Sequence, residues 1–133
     1  MNLVFADTGG FYALADRRDP AHLRARKFVE GCQAVLLTTD FVFAETMSLL
    51  TKRLGKEVAV TFGQALRSSP SIRIEEASFE VREKAWNLFS RHRDKGYDLI
   101  DCISFSMMET FRIQEAFGFD KHFAQCGFRL LPL

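Results

Sequence analysis

Four acidic residues stand at the edges of apolar segments, at positions where they could take part in chemistry. They are Asp7, Glu45, Asp101 and Asp120. Carboxylates are rarely buried without a partner, so several acids beside apolar elements predict a shared ligand. Two carboxylates about 4 Å apart repel each other by roughly 4 kcal/mol at an effective dielectric constant near 20. Protonation of one acid or binding of a divalent cation relieves that repulsion, and the second route creates a functional site.

The type of ligand atom indicates which cation would bind. Carboxylate oxygens favour Mg²⁺, with Mn²⁺ as a plausible substitute, and the three cysteines and three histidines show no zinc-ligand spacing. A water molecule made more acidic by such a cation can attack a phosphodiester, while the metal offsets negative charge on the phosphate oxygens. If the fold brings the four acids together, the sequence therefore predicts metal-dependent phosphodiester hydrolysis.

Asp7 and Asp120 each follow a short apolar segment, residues 3–6 and residues 117–119 respectively. The carboxyl end of a strand is a common place for a ligand-binding side chain. Either acid could instead cap the turn or helix that follows it, and Asp120 is followed by a lysine and a histidine that could pair with it. We assign Asp120 a supporting role in the site.

Glu45 and Asp101 lie on predicted helices. Glu45 shares a helix face with Phe41 and Leu49, where an unpaired buried carboxylate would cost several kcal/mol, so we favour a ligand role for it. Asp101 comes three residues after Asp98, and no lysine or arginine stands at helical pairing distance from it. The helix dipole could also favour an acid in this first turn. We assign Asp98 the helix cap and Asp101 the chemistry.

The elements that must position these acids alternate between short apolar strands and helices. The predicted strands are residues 3–6, 33–38, 71–75, 117–119 and 128–131. The predicted helices are residues 20–30, which begin after an Asp19 cap, and then 40–54, 57–67, 78–93 and 98–116, followed by a brief helical turn within residues 120–127. This alternation predicts an α/β fold, a three-layer α/β/α sandwich with a central, mainly parallel sheet.

Length and composition set the class of protein. A chain of 133 residues with 47% hydrophobic and 26% charged residues predicts one globular domain over residues 1–133. We expect a cytoplasmic protein without membrane association, because no apolar run is long enough to span a bilayer, no signal peptide is evident and the cysteines show no disulfide framework.

The net charge of +1 argues against coating of nucleic acid by bulk electrostatics. Local basic clusters remain candidates for phosphate contacts, although such clusters are more often solvated helix faces. They include the clusters at residues 24–27 and 52–56. Trp86 and the phenylalanines are interpreted as core residues. His122 is not expected to act as a base, because a metal-bound water would supply the nucleophile.

Four segments together are similar to a known family. They are LVFADT around Asp7, TDFVFAET around Glu45, YDLIDCISF around Asp101 and FDKHF around Asp120. In this order and spacing, over nearly the whole chain, they resemble PIN-domain ribonucleases, and in particular the VapC-type toxins of bacterial and archaeal toxin-antitoxin pairs.

The resemblance implies an acidic cluster that binds Mg²⁺ or Mn²⁺ and cleaves single-stranded or looped RNA. Asp7 and Asp101 would be the principal metal ligands, Glu45 would ligate directly or through water, and Asp120 would support a second metal or an ordered water. The implied partners are an RNA substrate, a small antitoxin protein lying across the catalytic groove and a second copy of the chain in a homodimer.

The chain departs from the family pattern at two positions. Gly9 stands where a hydroxyl residue often follows Asp-Thr, and Asp98 adds an acid where a small polar residue is common. Thr8 and Ser104 are further residues that would shape the site. The alternatives left open are a solitary PIN-like RNA-processing nuclease and a non-catalytic domain that binds RNA or protein through an acidic pocket.

Overall fold

Five parallel strands form the central sheet in the computed structural model, which describes residues 2–133. The strands are β1 (Leu3–Ala6), β2 (Val35–Thr39), β3 (Ile72–Glu75), β4 (Glu115–Phe117) and β5 (Arg129–Leu131). The described residues also form seven helices that flank the sheet. They are α1 (Thr8–Ala15), α2 (His22–Gly31), α3 (Asp40–Leu54), α4 (Lys56–Ser68), α5 (Phe79–Arg91), α6 (Leu99–Thr110) and α7 (Lys121–Gln125). The predicted α/β architecture with a mainly parallel sheet is confirmed.

The strand order β3-β2-β1-β4-β5 places β1 at the centre of the sheet, beside β4. Leu3 pairs with Val35 of β2, and Phe5 pairs with Ala116 of β4. The chain adds β2 and β3 on one side of β1, and then adds β4 and β5 on the other side. Such a reversal leaves a crevice outside the carboxyl ends of the two strands, where ligands bind in open α/β sheets. The segments after β1 and β4 therefore meet at the place where a site is expected.

Phenylalanine side chains from the strands and helices fill the core. Phe5 is fully buried and packs near Phe123 of α7, with 6.2 Å between ring centroids. Phe117 of β4 stacks on Phe28 of α2 at 5.0 Å. A continuous apolar run such as β1 is typical of a strand covered on both faces. The core interpretation is wrong for Phe79 and Trp86, because 67% and 53% of these residues are exposed.

Helix α1 was absent from the sequence prediction. Two successive glycines near its start lower the local helix propensity, since each costs about 1 kcal/mol relative to alanine in a helix. Burial outweighs that cost, because Phe11 and Ala13 of α1 lie in the core. Tertiary packing therefore holds the helix that follows Asp7.

Helix α6 ends at Thr110, and the predicted extension to residue 116 is wrong. Arg112 has a φ of 57°, in the left-handed region, and the Ile113 N–H donates to the Met108 carbonyl at 2.8 Å. This geometry closes the helix as a glycine usually does, but an arginine gives no such signal in the sequence. Strand β4 consequently lies two residues earlier than the predicted strand 117–119.

Helix α2 begins at His22, two residues later than predicted, with Ala21 as its N-cap residue. The Asp19 carboxylate accepts the Ala21 N–H at 2.8 Å, so it closes a turn ahead of the helix and the predicted Asp19 cap is wrong. The His22 Nδ1 lies 2.8 Å from the Ala13 carbonyl oxygen and ties α2 to α1. Among residues 2–133, no helix combines the length and the apolar character needed to cross a membrane.

Gly10 lets α1 approach β4. A Cβ atom at Gly10 would lie 2.8 Å from the Phe117 carbonyl oxygen and 2.8 Å from its ring. We predict that Gly10→Ala lowers the free energy of unfolding by about 1–3 kcal/mol, because backbone must move to admit the methyl group.

The matched control is Gly31→Ala, since a Cβ atom there meets nothing within 4 Å. Its free energy of unfolding should be unchanged or raised by less than about 1 kcal/mol. Urea denaturation of both variants makes the comparison. Equal stabilities for the two variants would contradict the close approach of α1 to β4.

Candidate metal centre

Asp7 is held at the carboxyl end of β1 by backbone contacts on both sides. Its N–H donates to the Phe117 carbonyl at 3.0 Å, and its own carbonyl accepts the N–H groups of Gly10 and Phe11. The Asp7 side chain makes no capping hydrogen bond to α1 and is only 6% exposed. The alternative role of Asp7 as a side-chain helix cap is therefore not seen, and its carboxylate remains available to a ligand.

Gly118 lets the chain leaving β4 pass beside this carboxylate. A Cβ atom at Gly118 would lie 3.2 Å from the Asp7 Cβ atom and 3.8 Å from Asp7 Oδ2. A contact of 3.2 Å is tighter than about nine in ten Cβ contacts in proteins, so a side chain at Gly118 would displace its neighbour by a few tenths of an ångström. The absence of a side chain here brings the segment that carries Asp120 against the end of β1.

Asp101 lies in the first turn of α6 and forms a capping box with Asp98. The Asp101 N–H donates to Asp98 Oδ1 at 2.7 Å, and the Asp98 N–H donates to Asp101 Oδ2 at 3.2 Å. Asp98 is thus the cap, as the sequence predicted. Asp101 Oδ1 accepts no hydrogen bond from residues 2–133, so this carboxylate combines a fixed orientation with a free oxygen.

Asp120 and His122 bring α7 into the same cluster. Asp120 Oδ1 accepts the His122 N–H at 2.9 Å, so Asp120 does cap α7. The His122 Nδ1 lies 3.2 Å from Asp120 Oδ1 and 3.2 Å from Asp101 Oδ2. One ligand atom from each of these three residues lies within 4.8 Å of the others, as in a cation site. Asp120 therefore has both the capping role and a place in the cluster.

Sequence reasoning did not select His122 as a site residue. The structure places its ring between two carboxylates and edge-on to Tyr97, with 5.5 Å between ring centroids. A Cβ atom at Gly96 would lie 3.0 Å from His122 Nε2, so Gly96 makes room for the ring. The short spacing between Asp120 and His122 was the only signal in the sequence. It was not enough to identify the site, because the other partner of His122, Asp101, lies in another helix.

Glu45 reaches the cluster through Thr8. The Thr8 hydroxyl donates to Glu45 Oε1 at 2.5 Å, and the Thr46 hydroxyl lies 3.5 Å from Thr8 Oγ1. The sequence predicts Glu45 on an apolar face without a cation, and the structure adds a hydroxyl partner, Thr8, directly after Asp7. Glu45 is half-buried, so its second oxygen is open to a ligand or to water.

The pKa of Asp7 shows that the acids act on one another. Burial raises the pKa of the Asp7 carboxyl to about 7, against an ordinary value of 3.8. A hydrogen bond from the Thr8 backbone partly offsets burial, and the charges of Asp101, Asp120 and Glu45 raise the pKa further. The four candidate acids thus lie within electrostatic reach of a single position at the end of β1.

Asp101 has a similar environment. Burial, and then the charge of Asp98, raise the pKa of the Asp101 carboxyl to about 6. The hydrogen bond from the Asp98 N–H and the contact with His122 lower it, whereas the charge of Asp120 raises it. Two neighbouring carboxyls with raised pKa values form a site in which a cation would be strongly favoured.

The residues present fit a hard divalent cation. Carboxylate oxygens provide most of the donor atoms, and such oxygens are the ligands that Mg²⁺ and Mn²⁺ prefer. Ser104 adds a further observation, because its hydroxyl is buried without a hydrogen-bond partner among residues 2–133. It lies one turn after Asp101 on α6. An unsatisfied buried hydroxyl at this position is consistent with a ligand or an ordered water in the cluster.

The fold and the acidic cluster together define a class of protein. Residues 4–129 match the family model for the PIN domain. The chain therefore belongs to the PIN-domain family, and the predicted three-layer α/β/α fold is confirmed. Within this family, the chain is 33% identical over 126 residues to the 23S rRNA-specific endonuclease VapC20 of Mycobacterium tuberculosis, covering 95% of each protein.

Solved structures give the same result. The crystal structure of Mycobacterium tuberculosis VapC20, described as a sarcin-ricin loop cleaving toxin, matches with a TM-score of 0.89 and 33% identity. That match covers 94% of this chain and 95% of the other. DNA-bound VapBC from Salmonella typhimurium matches with a TM-score of 0.71 over 98% of this chain and 97% of the other, and its 12% identity supports the fold alone. The resemblance to VapC-type PIN domains is confirmed.

We predict that Asp7 makes the metal-free protein less stable as pH rises. Because the folded-state pKa is about 7 and the ordinary value is 3.8, the stabilising effect of the protonated carboxyl is complete below about pH 4. It is lost as pH rises through about 7, at a cost of up to about 4 kcal/mol. Asp7→Asn should remove this dependence, and Mg²⁺ should reduce it.

The measurement is urea denaturation of wild type and Asp7→Asn in EDTA across this pH range. Subtracting the two free energies of unfolding cancels the other titrating groups that both proteins share. The variant should gain stability relative to wild type as pH rises. A difference that stays constant with pH would show that Asp7 is not a buried, raised-pKa carboxyl.

Proposed function

We propose that this chain is a metal-dependent endoribonuclease that hydrolyses RNA phosphodiester bonds and serves as the toxin of a toxin-antitoxin pair. The observation that carries the proposal is the convergence of carboxylates at the junction of β1 and β4 in a PIN-domain chain. The 33% identity to a 23S rRNA-specific endonuclease over 95% of both chains supports RNA as the substrate. Residues 1–133 act as one catalytic unit in this proposal.

The cation in this proposal is Mg²⁺, with Mn²⁺ as a functional substitute. Asp7 and Asp101 are the principal ligands, Glu45 ligates directly or through water, and Asp120 supports a second metal or an ordered water. When bound, the cation supplies an acidified water and offsets negative charge on the phosphate oxygens. The acidic cluster and the PIN fold support a divalent metal, and the choice of Mg²⁺ rests on the oxygen ligands.

The other residues of the cluster fix the carboxylates in place. Thr8 donates to Glu45, while Asp98 and His122 both contact Asp101 Oδ2 and leave its Oδ1 free. Fixed carboxylates reduce the reorganisation needed to place a phosphodiester in line with its attacking water. His122 thus acts as a positioning residue, and in this proposal it does not serve as a general base.

The substrate we propose is single-stranded or looped RNA. The relative VapC20 is named for 23S rRNA and described as cleaving the sarcin-ricin loop. An RNA hairpin with the sequence of that loop is therefore the first substrate to test. The proposed location is the cytoplasm, where ribosomes and their RNA are found.

Two protein partners belong to the proposal. A mostly apolar groove of about 610 Å³ lies between α3 and α4, with Met47, Ala59 and Val60 among its walls, and it is a candidate surface for a small antitoxin. Helix α5 exposes Phe79 and Trp86 at 67% and 53%, which supports self-association into a homodimer. The 33% identity to VapC20, which is described as a toxin, favours the toxin over a solitary RNA-processing nuclease.

We predict that the purified protein cleaves RNA with Mg²⁺ or Mn²⁺ and loses this activity in EDTA. Asp7→Asn and Asp101→Asn should each lower the cleavage rate by more than about 100-fold, because loss of an outer partner of a metal ligand already costs roughly 10- to 100-fold. Gel analysis of labelled RNA measures the rates, with circular dichroism to check folding. The matched control is Glu83→Gln, an exposed acid on α5, which should leave the rate unchanged.

Full activity in both aspartate variants would contradict the proposal. Activity that persists in EDTA would also do so. If the folded protein binds RNA with Mg²⁺ but cleaves none, the non-catalytic alternative is the better description.

We predict that His122→Gln lowers both the cleavage rate and the affinity for Mn²⁺ by roughly 10- to 100-fold. The reason is that His122 Nδ1 lies 3.2 Å from both the Asp101 and the Asp120 carboxylates. Calorimetric titration of Mn²⁺ gives the affinity separately from the rate. His92→Gln is the control, because His92 lies outside the cluster. Unchanged metal affinity in His122→Gln would rule out the positioning role.

A further inference from the structure

A second cavity, of about 390 Å³, is lined by residues that adjoin two of the proposed metal ligands in the chain. Its walls come from α1, from the start of α2 and the loop before it, from the C-terminal half of α3, and from Phe119. Gly9 in this wall is two residues from Asp7, and Phe119 directly precedes Asp120. Two segments that carry proposed metal ligands, the one with Asp7 and the one with Asp120, therefore also contribute residues to the cavity wall.

Two arginines from different helices line this cavity, and each lies over an aromatic ring. The guanidinium carbon of Arg24 is 5.1 Å from the centroid of Phe119, and that of Arg53 is 5.1 Å from the centroid of Tyr12. Stacking on a ring holds a guanidinium in place, and Arg53 is in addition a hydrogen-bond partner of the Tyr12 hydroxyl, which leaves its other N–H groups to donate elsewhere. The two side chains are thus held beside a common space.

Neither arginine is neutralised by a carboxylate. In the described part of the chain, the ion pairs involve other residues, and neither Arg24 nor Arg53 takes part in one. The acid nearest to them in the cavity wall is Asp19, whose Oδ1 already accepts the Ala21 N–H. Asp16 accepts the Tyr12 hydroxyl and a backbone N–H, so its oxygens are also engaged.

A nuclease with this charge distribution needs local cations to hold its substrate. The net charge is only +1, and the cleft contains four acids that repel RNA wherever a cation does not balance them. A phosphodiester accepts hydrogen bonds from an arginine in a planar, paired geometry. Arg24 and Arg53, neither of which is in an ion pair, line one cavity and are each able to donate to a phosphate of a strand that enters it.

We infer that Arg24 and Arg53 form a subsite that binds the phosphodiester backbone of the substrate RNA beside the cleaved bond. The inference rests on the proposed ribonuclease function and extends it. It assigns a role to two basic clusters of the sequence, residues 24–27 and 52–56, and selects one arginine from each.

The test measures RNA binding separately from cleavage. A short fluorescein-labelled single-stranded RNA is titrated, with Mg²⁺ and at several salt concentrations, with full-length protein that carries Asp7→Asn to prevent cleavage. Adding Arg24→Gln or Arg53→Gln should weaken binding by about tenfold each, as expected for hydrogen bonds between charged groups. Each change should also make the slope of log affinity against log salt less negative by about 0.7, the value for one phosphate contact on a single strand.

Matched controls separate this subsite from general charge. Lys27→Gln removes the same charge from α2, and Lys52→Gln removes the charge next to Arg53 on α3. Both residues are exposed and do not line the cavity, so both variants should bind RNA within about twofold of the parent. Arg53→Lys should keep the salt slope and still lose affinity, because lysine lacks the planar fork.

The outcomes distinguish the subsite from the proposed function. If wild type cleaves RNA but Arg24→Gln and Arg53→Gln bind it like the controls, the subsite is overturned and the nuclease stands. If wild type cleaves no RNA but both variants show the predicted losses, the subsite stands and the nuclease proposal fails. If both variants bind RNA normally but lose binding of a poly-glutamate peptide, the cavity is a protein-binding site and the inference is overturned.

Discussion

The structure depends on holding mutually repelling carboxylates together where β1 meets β4. One carboxylate oxygen each of Asp101 and Asp120 lies within 4.8 Å of the other and of His122, and two charges at about that distance repel by roughly 3 to 4 kcal/mol at an effective dielectric constant near 20. The backbone supplies the constraint: the Asp7 N–H is tied to the Phe117 carbonyl, and Gly118 lets the next segment pass beside the Asp7 carboxylate. In the metal-free state burial, and to a smaller extent the neighbouring carboxylates, raise the pKa values of Asp7 and Asp101, so the fold favours a protonated acid where no cation is bound. A divalent cation converts the same repulsion into affinity.

The core keeps this arrangement rigid. Aromatic rings that pack around β1 and β4 are fully buried, among them Phe5, Phe117 and Phe123. The two strands therefore cannot separate without opening the centre of the protein. Helices α6 and α7 carry two more acids and pack through Phe105 and Phe123, whose ring centroids lie 5.0 Å apart. The acids therefore come from separate elements that share one apolar core. Because these elements share one core, a change that loosens the core also changes the geometry of the site.

The sequence was sufficient for the strand-helix alternation and for the parallel sheet, because these follow from apolar periodicity. The rule that ligands collect at strand ends also directed attention to Asp7 and to the segment after β4, and the metal-ligand role of the four acids stays a prediction. The sequence was insufficient where tertiary contacts decide. Helix α1 forms against its glycine content because Phe11 is buried, and α6 stops at an arginine in a left-handed conformation. The role of His122 depends on Asp101, 21 residues earlier and in another helix. Local spacing carries no information on such contacts.

The most direct test of the account is calorimetric titration of Mn²⁺ into the metal-free protein at about pH 6, in two buffers of different ionisation enthalpy, which reports protons released on binding. Asp7 has a pKa of about 7, so it is mostly protonated at this pH and must lose its proton to ligate a cation. Asp101, with a pKa of about 6, is half protonated at this pH, so we expect saturable binding with release of about one and a half protons in wild type, and weaker binding with release of only about half a proton in Asp7→Asn. Absence of Mn²⁺ binding, or identical affinity and proton release in the two proteins, would contradict a metal centre built on Asp7.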